Sequence, residues 1–278
     1  MVAPLAGCRQ GSRRVSAAES LASVDGEIMP AAQATISVTD EGLIRGDGVF
    51  EVIRVYDGVP FALEEHLARL ERSARNLRLP TDLELVRAEF QRLLAAAGRG
   101  LAHESLRIVL TRGGRRILLT EPLHETPERA RLRSIAYSPT RILDGVKSLS
   151  YAANRLASRL AQEQGYDEAL LVTPHGRVLE APTSSLFWVK DGDLLTPPLS
   201  DHILASITRG IVIEVTGATE RATTLEDVLG ADEAFLASTI REVQPIIRLD
   251  DREFDAPGPV TARTAGAVGR HIAGLLAA

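Results

Sequence analysis

Ser138-Pro139-Thr140-Arg141-Ile142-Leu143-Asp144-Gly145-Val146-Lys147-Ser148-Leu149-Ser150-Tyr151 divides the chain. Its opening tetrad breaks regular structure, because proline has no N–H to donate and steers the residue before it away from helix. A linker is therefore expected over 139–144. Beyond it, Lys147 lies between an apolar stretch and the start of a helix, where its stem can be buried and its amine desolvated. Desolvation lowers a lysine pKa and leaves a nucleophilic amine, although most lysines are solvated surface residues.

Upstream, Asp25-Gly26 suits a tight hairpin turn, and short β-branched or apolar runs at Ile36–Val38, Val49–Val55 and Val59–Leu63 read as an antiparallel meander. Leu67, Leu70, Ala74 and Leu77 recur at helical spacing within Glu64–Leu77, and Asp82–Ala97 repeats the pattern. Strands are expected at Arg107–Thr111 and Leu132–Tyr137. Residues 1–20 read as a loose tail and 21–138 as a small N-terminal domain. Downstream, a helix at Tyr151–Gln164 precedes strands at Ala169–Thr173 and Leu186–Lys190, a helix from Ser206, a strand at Glu233–Ala237 and a last helix from about Pro259. This order predicts an α+β fold: a small α/β domain, then a larger mixed-sheet domain over 145–278.

The 278 residues are 45% hydrophobic and 25% charged, with no apolar run approaching the roughly 18 residues of a membrane helix. A net charge of -5 opposes general nucleic-acid binding, which needs clustered Lys and Arg, and favours a small-molecule partner. The single cysteine, Cys8, cannot form an internal disulfide, so cytoplasm is the expected compartment. Gly-x-Gly-x-x-Gly, Walker and His-x-x-x-His patterns are lacking, and no metal site is expected.

What remains is a dispersed constellation. Glu180, in Val178-Leu179-Glu180-Ala181-Pro182-Thr183-Ser184-Ser185, is a carboxylate suited to holding a protonated ring nitrogen. Ile207-Thr208 opens an apolar helix, and Ser238-Thr239 follows the strand Ala234–Ala237. Helix-start amides with hydroxyls bind phosphate, and each pair by itself also suits an ordinary cap or turn.

With Arg45-Gly46-Asp47-Gly48-Val49-Phe50-Glu51, Glu65-His66-Leu67-Ala68-Arg69-Leu70, Leu195-Thr196-Pro197-Pro198, Ile207-Thr208-Arg209 and Ser238-Thr239-Ile240-Arg241-Glu242-Val243, the chain from about Leu21 onward resembles the class IV, fold-type IV aminotransferases. This family includes branched-chain and D-amino acid transaminases and aminodeoxychorismate lyase, all using pyridoxal 5'-phosphate (PLP). The resemblance implies that Lys147 forms the Schiff base and moves the proton, and that Glu180 pairs with the pyridine nitrogen. It implies a phosphate grip by Arg69, Thr208, Ser238, Thr239 and the Ile207 amide, with Tyr151 and Ser184 completing the cofactor set. It also implies a homodimer acting on an amino donor and an oxo acid. Ser148–Asn154 lacks the Gly-Gly-Asn-Tyr-like run of branched-chain enzymes, and Ala181-Pro182 replaces the usual glycine after the glutamate.

On a strand Phe50, Val52 and Arg54 share a face, and the resemblance makes Phe50 and Arg54 substrate-pocket residues. In Thr111-Arg112-Gly113-Gly114-Arg115-Arg116, Arg115 or Arg116 would meet the substrate carboxylate, with Arg116 preferred. The expected activity is transamination of a branched-chain or D-amino acid. The alternatives are a lyase releasing 4-aminobenzoate and pyruvate, and a non-catalytic PLP-binding homologue.

Overall fold

The computed structural model describes residues 20–98, 103–123 and 125–277. Leu21–Val24 (β1) and Glu27–Pro30 (β2) form the hairpin read from Asp25-Gly26, whose residues take φ 54° and 92°, the positive pair such a turn demands. A short helix, α1 (Glu41–Arg45), capped by Asp40, precedes β3 (Gly48–Tyr56) and β4 (Val59–Pro60). Helices α2 (Leu63–Asn76) and α3 (Leu83–Ala97) then lead to β5 (His103–Thr111) and β6 (Arg116–Pro122). The sheet runs β2-β1-β6-β5-β3-β4. Two expected strands change. Ile36–Val38 is irregular and finds no partner strand among the described residues. Val59–Leu63 stops pairing at Pro60, which has no N–H to give, and Leu63 already starts α2.

Strand alternation sends Val49, Ile53 and Val55 to one face of β3, where they pack with Leu106 and Leu118 against Leu67, Leu70, Ala74, Phe90 and Leu93 of the helices. Burying a side chain such as Leu70 contributes about 2 kcal/mol. Glu51 stands on this same apolar face. A charge there is tolerable only if paired.

The second half comprises β7 (Ala130–Ala136), α4 (Ala152–Glu163), β8 (Glu168–Val172), β9 (Ser185–Lys190), β10 (Asp193–Thr196), α5 (Ile207–Thr216), β11 (Thr219–Glu220), α6 (Leu225–Leu229), β12 (Glu233–Ser238), β13 (Glu242–Leu249), β14 (Arg252–Glu253) and α7 (Pro259–Ala277). Its sheet runs β11-β10-β9-β12-β13-β7-β8, with β14 on β13. Pairing is mixed: β7 is parallel to both β13 and β8, while β12 is antiparallel to β9 and β13. Strands β9 and β12 read as unbroken apolar runs because both faces are covered. Phe187 and Phe235 stack 5.0 Å apart under α5 and α7, and Leu186, Trp188 and Leu236 pack on the other side with Val228 of α6.

Strand β7, which sequence order places in the first half, thus belongs to the second sheet. The change of sheet falls between the end of β6 at Pro122 and the start of β7 at Ala130 rather than over 139–144, because the strand's partners come far later in the chain and leave no local mark. Residues 139–144 instead carry a 3-10 turn, Arg141–Leu143, beside the cavity described below. The expected tail, with Cys8, lies outside the described residues apart from Ser20. Among the described residues no helix is long and apolar enough to cross a membrane, and no group of His, Cys, Asp and Glu is placed to hold a metal ion.

Candidate active site

Segment 145–151 lies along the start of β3. The Phe50 amide donates to Lys147 O (3.0 Å) and the Leu149 amide to Gly48 O (2.9 Å), while the Lys147 amide donates to Ser73 Oγ on α2 (3.2 Å). Only glycine permits this approach, since a Cβ at Gly48 would stand 2.4 Å from Leu110 O and 2.6 Å from Leu149 Cδ1. The lysine's backbone is therefore anchored while its side chain is directed into a cavity of about 930 Å³ lined from both sheets.

Lys147 Nζ lies 4.5 Å from the centre of the Phe50 ring, and Tyr151 meets that ring edge-on at 5.5 Å. Desolvation holds the amine down to about 8, helped by the Arg69 charge and opposed by Glu51 and Glu180. Glu180 lines the same cavity. Burial pushes its carboxyl up to about 7, against the Leu204 amide, which donates to Oε1 (3.1 Å), and the charges of Lys147, Arg209 and Arg69. The Tyr151 hydroxyl donates to Pro182 O, which also accepts from Asn154 Nδ2 (3.3 Å), so the Ala181-Pro182 loop is tied to α4.

A second cluster lies behind Lys147. Glu51 accepts from Arg69 Nε and Nη2, each at 2.7 Å, and from His66 Nδ1 at 2.8 Å. His66 and Glu51 are fully buried and Arg69 nearly so. Burial lowers the His66 pKa despite Glu51, leaving a neutral ring whose Nε2 lies 3.5 Å from Thr239 Oγ1. Arg69 also donates through Nη1 to Ala205 O (3.3 Å), just ahead of α5. Three of its five N–H groups are thus engaged, and about two remain for another acceptor. The Nε–Nη2 fork thus faces Glu51, and what Arg69 can offer a phosphate is its remaining Nη N–H groups.

Ser206 caps α5, its side chain accepting from the Arg209 amide. Thr208, in the first turn, is 1% exposed, and its Oγ1 has no hydrogen-bond partner; Ser184 Oγ is likewise buried and unpartnered. Buried hydroxyls are costly to leave unpaired. Helix-start amides, the Thr208 hydroxyl, Arg69 and the Ser238-Thr239 turn together fit a phosphate, and Lys147 with Glu180 fits an aldehyde and a ring nitrogen. Lys147, Arg69, Tyr151, Glu180, Ser184, Ser238, Thr239 and Phe50 all line the cavity, whereas Ile207 and Thr208 stand just behind Ser206.

The expected substrate arginines lie elsewhere. Arg116 donates to Glu89 (3.0 Å) and approaches Asp25 at 4.0 Å; alternation along β6 puts it on the helix face with Leu118. Arg115 pairs with Asp25 (2.5 Å). Arg54 shares the Phe50 face but reaches beyond the cavity to Glu242 and Ile240 O. The arginine that does line the wall near Phe50 is Arg107, its guanidinium 5.5 Å from the Phe50 ring and its Nε 2.9 Å from both oxygens of Glu121. No local sequence motif marks it. Its signal is the alternation of Ser105 with Arg107, both in the wall, which shows only when the strand is taken to start ahead of Arg107, as β5 does.

A cavity joining a desolvated lysine, a half-buried glutamate and the capped start of a helix fits a PLP-dependent enzyme of fold-type IV. The chain belongs to the Amino-transferase class IV family, which matches residues 48–249. It is 36% identical over 254 residues to a Methanocaldococcus jannaschii protein provisionally named a branched-chain-amino-acid aminotransferase, covering 82% of this chain and 88% of that one. It is 30% identical over 263 residues to the D-alanine aminotransferase of Bacillus licheniformis, covering 85% and 92%. In structure it is similar to a hypothetical aminotransferase from Mycobacterium tuberculosis in a PLP-bound form, with TM-score 0.82, 26% identity and coverage of 91% and 99%.

Proposed function

We propose that this class IV aminotransferase moves an amino group between an amino acid of branched-chain or D-amino acid type and a 2-oxo acid, with Lys147 as its catalytic residue. The observation that carries the reading is the meeting of Lys147, Glu180 and Ser206, the cap of α5, in one cavity. The amine of Lys147 would hold PLP covalently and Glu180 its ring nitrogen. Arg69, Thr208, Ser238, Thr239 and the Ile207 amide would hold its phosphate. When bound, PLP supplies an electron sink for the pair released as the donor's Cα–H bond breaks.

The chain supplies the rest. An amine held down to about 8 is well matched to take a proton and return it near neutral pH. Phe50 covers one side of it, backed edge-on by Tyr151. Arg107, with Nε occupied by Glu121, presents its remaining N–H groups to a donor carboxylate. The two sheets would act as a small and a large domain, in the cytoplasm and as a homodimer; exposed Val38, Leu43 and Ile44 support a further contact, and light scattering tests it.

The reading is tested by incubating the PLP-loaded protein with single L- and D-amino acids and 2-oxo acids and measuring the new amino acid formed. If PLP is held yet no pair exchanges nitrogen, the transaminase reading falls. Arg107→Ala should raise the KM for the oxo acid about tenfold or more. Arg116→Ala should leave KM unchanged while destabilising the fold by about 1–3 kcal/mol, because Glu89 loses its partner; steady-state kinetics and thermal unfolding separate the two. Since capture of PLP needs the neutral amine, its rate should rise about tenfold per pH unit below 8 and level off above it, as followed by stopped-flow absorption.

A further inference from the structure

Phe50, Val52 and Arg54 lie on one face of β3, and the first two line the cavity while Arg54 extends past its edge. There Arg54 Nη1 donates to Ile240 O at 3.0 Å and to Glu242 Oε1 at 2.8 Å. The Tyr56 hydroxyl donates to the same oxygen at 2.9 Å, and the guanidinium stacks 4.5 Å above the Tyr56 ring. Ile240 belongs to the loop joining β12 to β13, and Ser238, Thr239, Ile240 and Arg241 all line the cavity. Arg54, Tyr56 and Glu242 stand behind that wall.

Glu242 adopts φ 54°, a conformation that glycine takes without penalty and other residues avoid. A hairpin end of this kind favours glycine. What glutamate adds is a carboxylate, whose Oε1 accepts from both Arg54 and Tyr56. Backbone strain of this sort persists where the surroundings over-determine it.

We propose that Arg54, Tyr56 and Glu242 form a clamp that positions the Ser238–Arg241 turn against Lys147. The two ends of one strand do the measuring. At one end the Phe50 amide holds the Lys147 carbonyl; four residues on, about 13 Å along an extended strand, Arg54 holds the Ile240 carbonyl. Strand β3 thereby sets the spacing between the lysine and the turn. Arg54 is then a positioning residue and not a carboxylate ligand. The clamp builds on the PLP reading, which supplies its assay.

The test uses the PLP-loaded protein and the variants Arg54→Lys, Tyr56→Phe, Glu242→Gln and Glu242→Gly, with an Arg54→Ala/Glu242→Ala double-mutant cycle. PLP affinity is read from cofactor absorption, KM and kcat from amino transfer, and Tm from thermal unfolding. Glu242→Gly keeps the backbone conformation while removing the carboxylate, so it should stay folded. It should nevertheless weaken PLP retention and raise the oxo-acid KM about tenfold, the scale of a lost charge-assisted hydrogen bond, with a smaller change in kcat. Arg54→Ala and the double variant should match. Wild-type PLP affinity and KM in Glu242→Gly, fully additive losses, or tighter substrate binding once Glu242 is removed would each overturn the clamp. A wild-type protein that fails to hold PLP at all would overturn the cofactor reading first.

Discussion

Lys147→Ala is expected to reduce amino transfer by about 10²- to 10⁴-fold from loss of the proton-transferring amine alone, and to remove the visible absorption of covalently held PLP. The fold should survive. The hydrogen bonds that fix this segment run through the Lys147 carbonyl and amide, which alanine keeps. Tm should therefore change little while kcat collapses. Added small primary amines should restore part of the activity, because the space left by the side chain opens onto the cavity. Retained activity without added amine would assign the proton transfer to another group.

Glu51→Ala should produce the largest loss of stability, about 3–5 kcal/mol. It leaves the Arg69 cation buried without its carboxylate and the His66 Nδ1–H without an acceptor. Denaturant unfolding measures this. The pH dependence follows from the same contacts. Burial would raise the Glu51 carboxyl, but the Arg69 bonds and charge, with His66 behind them, hold it down to about 2 from 4.5. A carboxyl depressed on folding contributes stability that is complete above its unfolded value and lost as pH falls through the folded one. Wild-type stability should thus fall between pH 4.5 and 2, and Glu51→Gln should flatten that fall. An unchanged acid profile in Glu51→Gln would show that Glu51 is not the group responsible.

What could be read from sequence was what short-range periodicity and local motifs encode. Leu67, Leu70 and Ala74 announce α2 because a helix face repeats within one segment, and Val49 to Val55 announce β3. Lys147, Glu180, Arg69 and the Ser238-Thr239 turn could be singled out because each sits in a short recognisable stretch, and all reach the cavity. Sheet membership was hidden: β7 pairs with β13, more than a hundred residues away in sequence, and no local pattern encodes that register. The substrate arginines failed for a related reason. Alternation gave Arg54 the correct face, but not how far along it the cavity extends. Arg116 turned on a one-residue question of register, since its neighbour Ile117 lies on the opposite face from Leu118. The pairing of Arg107 with Glu121 depends on the β5–β6 register, which sets Glu121 opposite Ser105.

Whether Lys147 carries PLP for amino transfer is read from a visible absorption titration of the PLP-loaded, dialysed protein with single amino acids followed by a 2-oxo acid. The expected result is a cofactor band that survives dialysis, disappears with at least one branched-chain or D-amino acid, returns with the oxo acid, and is missing in Lys147→Ala. A band that never forms, or that persists unchanged in Lys147→Ala, would contradict it.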